Sequence, residues 1–217
     1  QDVLMKAWIE ATTGRMGPVW LDIPLDVQSE INCATLVDLT AKEITIKDGN
    51  TLFPFTEVAR EIKAANRPLV IAGSGVHLAD CESQFKSLVR MLNIPVVCTW
   101  SATDLFDYED DLYIGNFGIL GERVANLAIQ NSDLLIILGS RMSIPNIGYA
   151  TELFSPNSKK IMVDIDRDEI EKNTLSIDLP VVGSLSDFIS GYTSYASRLD
   201  RSDYRKWLNI LNIWKKR

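Results

Sequence analysis

Between Arg67 and Ser184 the chain repeats one pattern: a short polar entry, an unbroken apolar run, then small residues. "RPLVIAGSGV" (67–76) and "SDLLIILGSRM" (132–142) show it most plainly. Continuous apolar runs of this length predict strands covered on both faces. The runs "PLVIAG", "IPVVCTW", "DLYIGNFG", "DLLIILGS", "KKIMVDID" and "LPVVGS" give about six strands.

Between the runs the period lengthens to that of an amphipathic helix. "TEVAREIKAAN" is predicted as a helix with Thr56 as N-cap and Pro68 just past its end. "CESQFKSLVRMLN" places Cys81, Phe85, Leu88, Val89 and Leu92 on one face. "ERVANLAIQNS" and the tail "SDYRKWLNILNIWKKR" carry the same spacing. "RDEIEKN" is expected to start at Asp166, with Glu169 completing a capping box. Upstream, "DVLMKAWIEATTG" reads as a helix that Gly14 stops. "GPVWLDIPLDVQ" alternates Val19, Leu21 and Ile23 with polar or large partners and reads as a strand ended by Pro24. From Ser29 to Pro54 no period is sustained, and the stretch reads as a linker.

Strands alternating with helices require crossover connections. The expected fold is therefore α/β: a doubly wound, mostly parallel, six-stranded Rossmann-like sheet of the DHS-like NAD/FAD-binding type. In the order 3-2-1-4-5-6, strands 1 and 4 lie side by side and a crevice opens at their carboxyl ends. The two small-residue turns, Gly73-Ser74-Gly75 and Gly139-Ser140-Arg141, would face each other there. Glycine admits close backbone approach, and free amides in such turns favour phosphate. Arg141 could pair with a pyrophosphate, and Asp164, ending strand 5, could accept from ribose hydroxyls. The full GxGxxG fingerprint is absent, since His77-Leu78 follows Val76. The glycines alone equally suit two tight strand exits.

Composition narrows the partners. The 217 residues carry a formal net charge of −7, which argues against nucleic acid and against an anionic membrane. "WKKR" at the end reads as a solvated helix end. Three cysteines, Cys33, Cys81 and Cys98, are widely spaced without a CxxC, so neither a disulfide framework nor a zinc site is expected, and a cytoplasmic setting fits. The apolar runs are too short to span a bilayer, and no signal peptide is visible. His77 is the only histidine and has no nucleophile at a motif spacing, which makes a hydrolase triad improbable. "DIDRDE" lacks the glycine of a calcium loop, and "YEDD" reads as a solvated acidic loop. The five tryptophans form no stacking motif.

The ordered set "GPVWLDIPLDVQ", "RPLVIAGSGV", "NIPVVCTW", "IGNFG", "NSDLLIILGSRMS", "KKIMVDIDRDEIEKN" and "LPVVGS" resembles the central domain of thiamine-diphosphate-dependent enzymes of the acetolactate synthase and pyruvate oxidase family. The resemblance implies a remnant of the pyrimidine-binding domain at 1–28, a linker at 29–50, the central nucleotide-binding-like domain at 51–195, and a helical linker at 196–217 leading to the pyrophosphate domain. It places the family's catalytic glutamate before Gln1 and its G-D-G…N motif beyond Arg217. The fragment would then hold neither catalytic residues nor metal ligands, while the parent, with thiamine diphosphate and Mg²⁺, joins or cleaves 2-oxo acids as a homodimer or homotetramer. Where the family's central domain carries FAD or ADP, the contacts implied here are Gly73, Ser74, Gly75, Thr99, Trp100, Gly115, Asn116, Gly139, Ser140, Arg141, Asp164 and Ile165. The chain departs from the FAD-binding pattern at Gly-Ser-Gly for G-G-G, at "GNFG" for G-M-H-G, and at "MSIPNIGY" for F-D-D-R. The alternative is a non-catalytic nucleotide-binding or scaffold module of the same fold, sirtuin-like or electron-transfer-flavoprotein-like.

Overall fold

The structure is a computed structural model that describes residues 2–29, 52–200 and 202–216. The chain divides into two compact units, Gln1–Thr51 and Leu52–Arg217, each described by itself.

In the first unit, helix α1 (Asp2–Thr12) runs out before Gly14, which adopts φ +61°. A short helix, α2, covers Leu25–Ser29. The strand expected over 19–23 does not form: residues 16–24 have no regular secondary structure, and Trp20 is 92% exposed. The alternation is present in the sequence, but a strand exists only through its hydrogen-bonded neighbour, and no described strand pairs with these residues. The expected linker, apart from Ser29, lies outside the described residues, as does Cys33.

The second unit is built on six parallel strands: β1 (Pro68–Ala72), β2 (Val96–Cys98), β3 (Tyr113–Asn116), β4 (Leu134–Leu138), β5 (Lys159–Asp164) and β6 (Leu179–Val182). Their order is β3-β2-β1-β4-β5-β6, the doubly wound arrangement expected from the sequence. Strand residues alternate between two cores. Val70, Ala72, Ile136, Leu138 and Val163 face one side with helices α3 (Phe55–Ala64), α5 (Glu82–Leu92) and α9 (Leu185–Ala196). Leu69, Ile71, Leu135, Ile137 and Met162 face the other, with α6 (Arg123–Asn131), α8 (Arg167–Glu171) and α10 (Arg205–Lys215). Both faces are covered, which is why the runs are apolar at every position. Pro180 is accommodated because β6 is an edge strand.

Helix α9 escapes the periodicity reading because serines, Thr193 and Gly191 dilute its apolar stripe of Leu185, Phe188, Ile189 and Tyr192. Its start is nevertheless marked: Ser184 accepts from the Asp187 amide. At α3 the expected cap is corrected. The N-cap position is Pro54, and Thr56 lies inside the first turn, where its hydroxyl receives the Tyr195 hydroxyl hydrogen at 3.3 Å. Helix α10 packs into the second core through Trp207 and Leu211, and the Trp207 indole N–H donates to the Pro68 carbonyl at 3.1 Å.

Candidate functional site

The sheet register decides how the two small-residue turns meet. Ala72 pairs with Leu138, so β1 and β4 end level with each other. The entries to both strands are clipped as well, because the Asp133 carboxylate accepts the Asn66 and Arg67 amides at 2.9 and 2.8 Å. At the exits the turns touch directly. The Gly73 amide donates to the Leu138 carbonyl at 3.0 Å and the Gly75 amide to the Gly139 carbonyl at 2.9 Å. A Cβ on Gly73 would lie 2.3 Å from the Gly139 carbonyl oxygen, and one on Gly75 would lie 2.6 Å from the Gly139 Cα. Gly139 itself adopts φ +60°. Two buried strands end on the same kind of turn because each turn is the other's neighbour.

This contact assigns the backbone donors. The Gly73, Gly75 and Val76 amides are engaged with carbonyls of the two turns, and the Gly139 amide donates to Val163. The amides of Ser74, Ser140 and Arg141 have no acceptor among the described residues. After β1 the chain forms only a one-turn helix, α4 (Gly75–Leu78), before α5 begins. The Ser140 hydroxyl is buried and lies 3.4 Å from the Met142 amide nitrogen and from its sulfur.

The other expected residues follow along the same carboxyl edge. Thr99, just after β2, donates its amide to Ala72, and its hydroxyl lies 3.3 Å from that of Ser101. Trp100 opens a 3₁₀ turn and is 69% exposed. Gly115 and Asn116 end β3 and are closed over by Glu122. The Glu122 carboxylate occupies the space a Gly115 side chain would need and accepts the Asn116 amide. The Asn116 side chain is engaged as well, accepting from the Tyr113 hydroxyl at 2.9 Å and donating to Thr103 at 3.0 Å. Asp164 ends β5 and accepts the Asp166 amide at 3.0 Å, while Ile165 is exposed.

Arg141 is 66% exposed at its side chain, and its Nε lies 3.4 Å from Glu169. The Glu169 carboxylate, largely buried, also pairs with Lys172, whose ammonium in turn donates to the Arg141 carbonyl. This corrects the expected capping box. Asp166 does cap α8, accepting from the Asp168 amide at 2.9 Å, but its own amide goes to Asp164, and Glu169 ties α8 to the turn after β4. Glu169 is the residue that sequence reasoning misplaced. Its spacing after Asp166 carried a local signal, whereas its role depends on β4 and β5 being neighbours. Glu169 is the ion-pair partner of Arg141 among the described residues, and two-thirds of the arginine side chain remains exposed.

His77 joins the first turn to the loop after β2. Its Nδ1 lies 2.9 Å from Glu82 and its Nε2 3.0 Å from Asp104. The hydrogen bond to Glu82, helped by the Asp104 charge, raises its pKa against the opposing cost of burial. Burial pushes the Cys81 thiol up to about 11 and the Cys98 thiol up to about 12, so neither is a nucleophile near neutrality. Among the described residues no three His, Cys, Asp or Glu side chains are placed to hold a metal ion. No described helix is long and apolar enough to cross a membrane.

Comparison with known proteins agrees with this architecture. Residues 55–191 match the family described as "Thiamine pyrophosphate enzyme, central domain". The chain is 31% identical to the "Probable acetolactate synthase large subunit" of Methanococcus aeolicus, over 99% of this chain and 38% of that protein. It is 31% identical to the acetolactate synthase large subunit of Corynebacterium glutamicum, over 99% and 34% respectively. It is 35% identical to the acetolactate synthase isozyme 1 large subunit of Escherichia coli, over 78% and 30%. The chain thus spans about a third of the length of these relatives. Nothing in the comparisons supports the alternative of an unrelated nucleotide-binding or scaffold module.

Proposed function

Because the chain belongs to the thiamine pyrophosphate enzymes, as their central domain, we propose that it serves an acetolactate-synthase-like enzyme that decarboxylates and joins 2-oxo acids. The carrying observation is the match over 55–191, which spans the whole six-stranded sheet. Among the described residues no three His, Cys, Asp or Glu side chains are placed to hold Mg²⁺. Pyrimidine-binding and pyrophosphate-binding domains of the same enzyme would supply that site. The domain boundaries we assign are 1–28, 29–50, 51–195 and 196–217. A homodimeric or homotetrameric, cytoplasmic enzyme completes the reading.

Within the chain the carboxyl edge fits the diphosphate of a nucleotide, FAD or ADP. The Ser74, Ser140 and Arg141 amides are the donors left over once the turns have bonded to each other, and the exposed Arg141 guanidinium, shared with Glu169, stands beside them. Trp100 and Ile165 are exposed apolar surface for the flat rings, and Asp164 can accept from a ribose hydroxyl. Gly73, Gly75, Gly139, Thr99, Gly115 and Asn116 would shape the crevice without donating. A flavin here would supply a redox-capable ring; the chain's own residues bind and orient it.

Two measurements test the reading. The polypeptide that carries this chain, given pyruvate, thiamine diphosphate and Mg²⁺, should consume pyruvate and form a carboligation product; no consumption of any 2-oxo acid rejects the enzymatic assignment. Calorimetric titration of the 217-residue chain with ADP and with FAD should show saturable binding of at least one. If neither binds, the turns are structural joints only.

A further inference from the structure

The opposite, amino edge of the sheet carries a cavity that the nucleotide reading does not use. It has a volume of about 430 Å³ and lies between one side of α3, from Thr56 to Lys63, the last turns of α5 and α9, and the segment that follows α9. Small-molecule sites span roughly 300–1,000 Å³.

Its wall is apolar and aromatic, through Met91, Leu92, Tyr192 and Tyr195. Tyr192 is only 2% exposed, and its ring stacks on Phe188 at 5.7 Å and on Tyr195 at 6.3 Å. Its hydroxyl has no hydrogen-bond partner among the described residues. The other two tyrosines of the wall are satisfied, Tyr195 by Thr56 and Tyr204 by the Ile62 carbonyl. Among the described residues the one fully enclosed side-chain oxygen or nitrogen without a partner is Thr174 Oγ1, so the Tyr192 hydroxyl reaches open space. A second void that Tyr192 lines, of about 10 Å³, is otherwise walled by apolar side chains. Tyr192 lines the larger cavity, which is polar enough at its mouth to offer this hydroxyl a partner. A phenylalanine would make the same ring contacts without the cost of an unpaired buried hydroxyl.

The mouth is positive. Among the described residues, Arg60, Lys63 and Arg198 line it against one carboxylate, Asp200. Arg60 is within 3.3 Å of Glu61, whereas Lys63 and Arg198 have no ion-pair partner among the described residues.

We propose that this cavity is a binding site for a small amphipathic anion. An aromatic body lies against Tyr195, Met91 and Leu92, a polar atom meets the Tyr192 hydroxyl, and a carboxylate meets Lys63 and Arg198 at the mouth. The site is separate from the carboxyl edge, at the other end of the strands, and stands or falls without it. Aromatic rings favour offset stacking on such walls, and partly desolvated cations favour a carboxylate.

The test uses 4-fluorophenylacetate as probe and the 217-residue chain, followed by fluorine NMR. The probe resonance should broaden and saturate with the wild-type chain. Uncharged 4-fluorobenzyl alcohol should bind more weakly, and inorganic phosphate should not displace the probe. Tyr192→Phe removes one hydrogen bond and should weaken binding about three- to tenfold. Arg198→Gln, at an exposed position that cannot disturb the core, should weaken it by a similar factor. Arg141→Ala should leave it unchanged. Absence of saturable broadening, or wild-type affinity in Arg198→Gln, overturns the proposal. Wild-type affinity in a folded Tyr192→Phe does the same.

Discussion

The Gly75 amide donates to the Gly139 carbonyl across 2.9 Å, so the turns that end β1 and β4 are joined backbone to backbone at the centre of the sheet. A methyl group on Gly75 would sit 2.6 Å from the Gly139 Cα, and neither turn can retreat without breaking the paired strand ends. Gly75→Ala should therefore destabilise the chain by about 1–3 kcal/mol, the usual cost of overpacking. Gly17→Ala, with nothing within 4 Å of the new methyl, is the control and should change little. Urea denaturation of both variants checks this, and equal midpoints would mean that the turns yield freely.

The pH dependence of stability should carry a signature of His77. Its hydrogen bond with Glu82 and the charge of Asp104 raise its pKa in the folded chain. The folded state then holds this proton to higher pH than the unfolded state, which releases it near about 6.5. The stabilisation is complete below that value and is lost as pH rises through the folded pKa. The imidazole is partly exposed, so the effect should not exceed about 1 kcal/mol. His77→Gln should flatten this part of the profile when urea midpoints are compared from about pH 6 to about pH 8. An unchanged slope would place the titration elsewhere.

Helix α10 should be a working part of the second core. Trp207 is buried among Leu69, Ile71 and Leu211, and its indole N–H satisfies the Pro68 carbonyl at the start of β1. Trp207→Ala should cost about 3–5 kcal/mol. Trp207→Phe keeps most of the packing but strips the carbonyl of its donor, so it should cost less, about 1–3 kcal/mol. Denaturant unfolding separates the two. Losses under about 0.5 kcal/mol for both would show that the helix only rests on the surface.

How much of this was legible in the sequence follows from the range of each interaction. The six strands were readable because burial on both faces leaves apolar runs such as "LLIIL" with no polar interruption. The strand order followed from general rules of crossover connection. Helix α9 was missed where Ser190, Gly191, Thr193 and Ser194 break the stripe, although Phe188 and Tyr192 hold the packing. The 19–23 segment shows the reverse, an alternation that no described strand completes. At the site, the small residues of the two turns were visible, but not the contact between them. That contact depends on Ala72 standing level with Leu138, a register set by the whole sheet. Glu169 misled for the same reason: its local spacing suggested a cap, while its partner Arg141 arrives from 28 positions away on a neighbouring strand exit.

That pairing yields opposite predictions for its two members. If a nucleotide diphosphate binds the carboxyl edge, the exposed Arg141 guanidinium is its charged donor, beside the unpartnered Ser140 and Arg141 amides. Arg141→Ala removes a charge-assisted contact worth about 1.5–3 kcal/mol and should weaken ADP or FAD binding about tenfold to over a hundredfold, with the fold intact. Glu169 acts against the ligand. Its carboxylate neutralises Arg141 and Lys172, and an incoming phosphate must share them. Glu169→Gln keeps the shape and removes that competing charge, so affinity should rise several-fold, about 1 kcal/mol by the same arithmetic. Stability should fall, because Lys172 loses the counter-charge beside it. Calorimetric titration of both variants at one fixed ionic strength reads the two signs. A fall in affinity for both would make Glu169 a positioning residue that aims Arg141. Unchanged affinity in Arg141→Ala would remove the arginine from the site and leave the Gly75–Gly139 contact as the whole purpose of the paired turns.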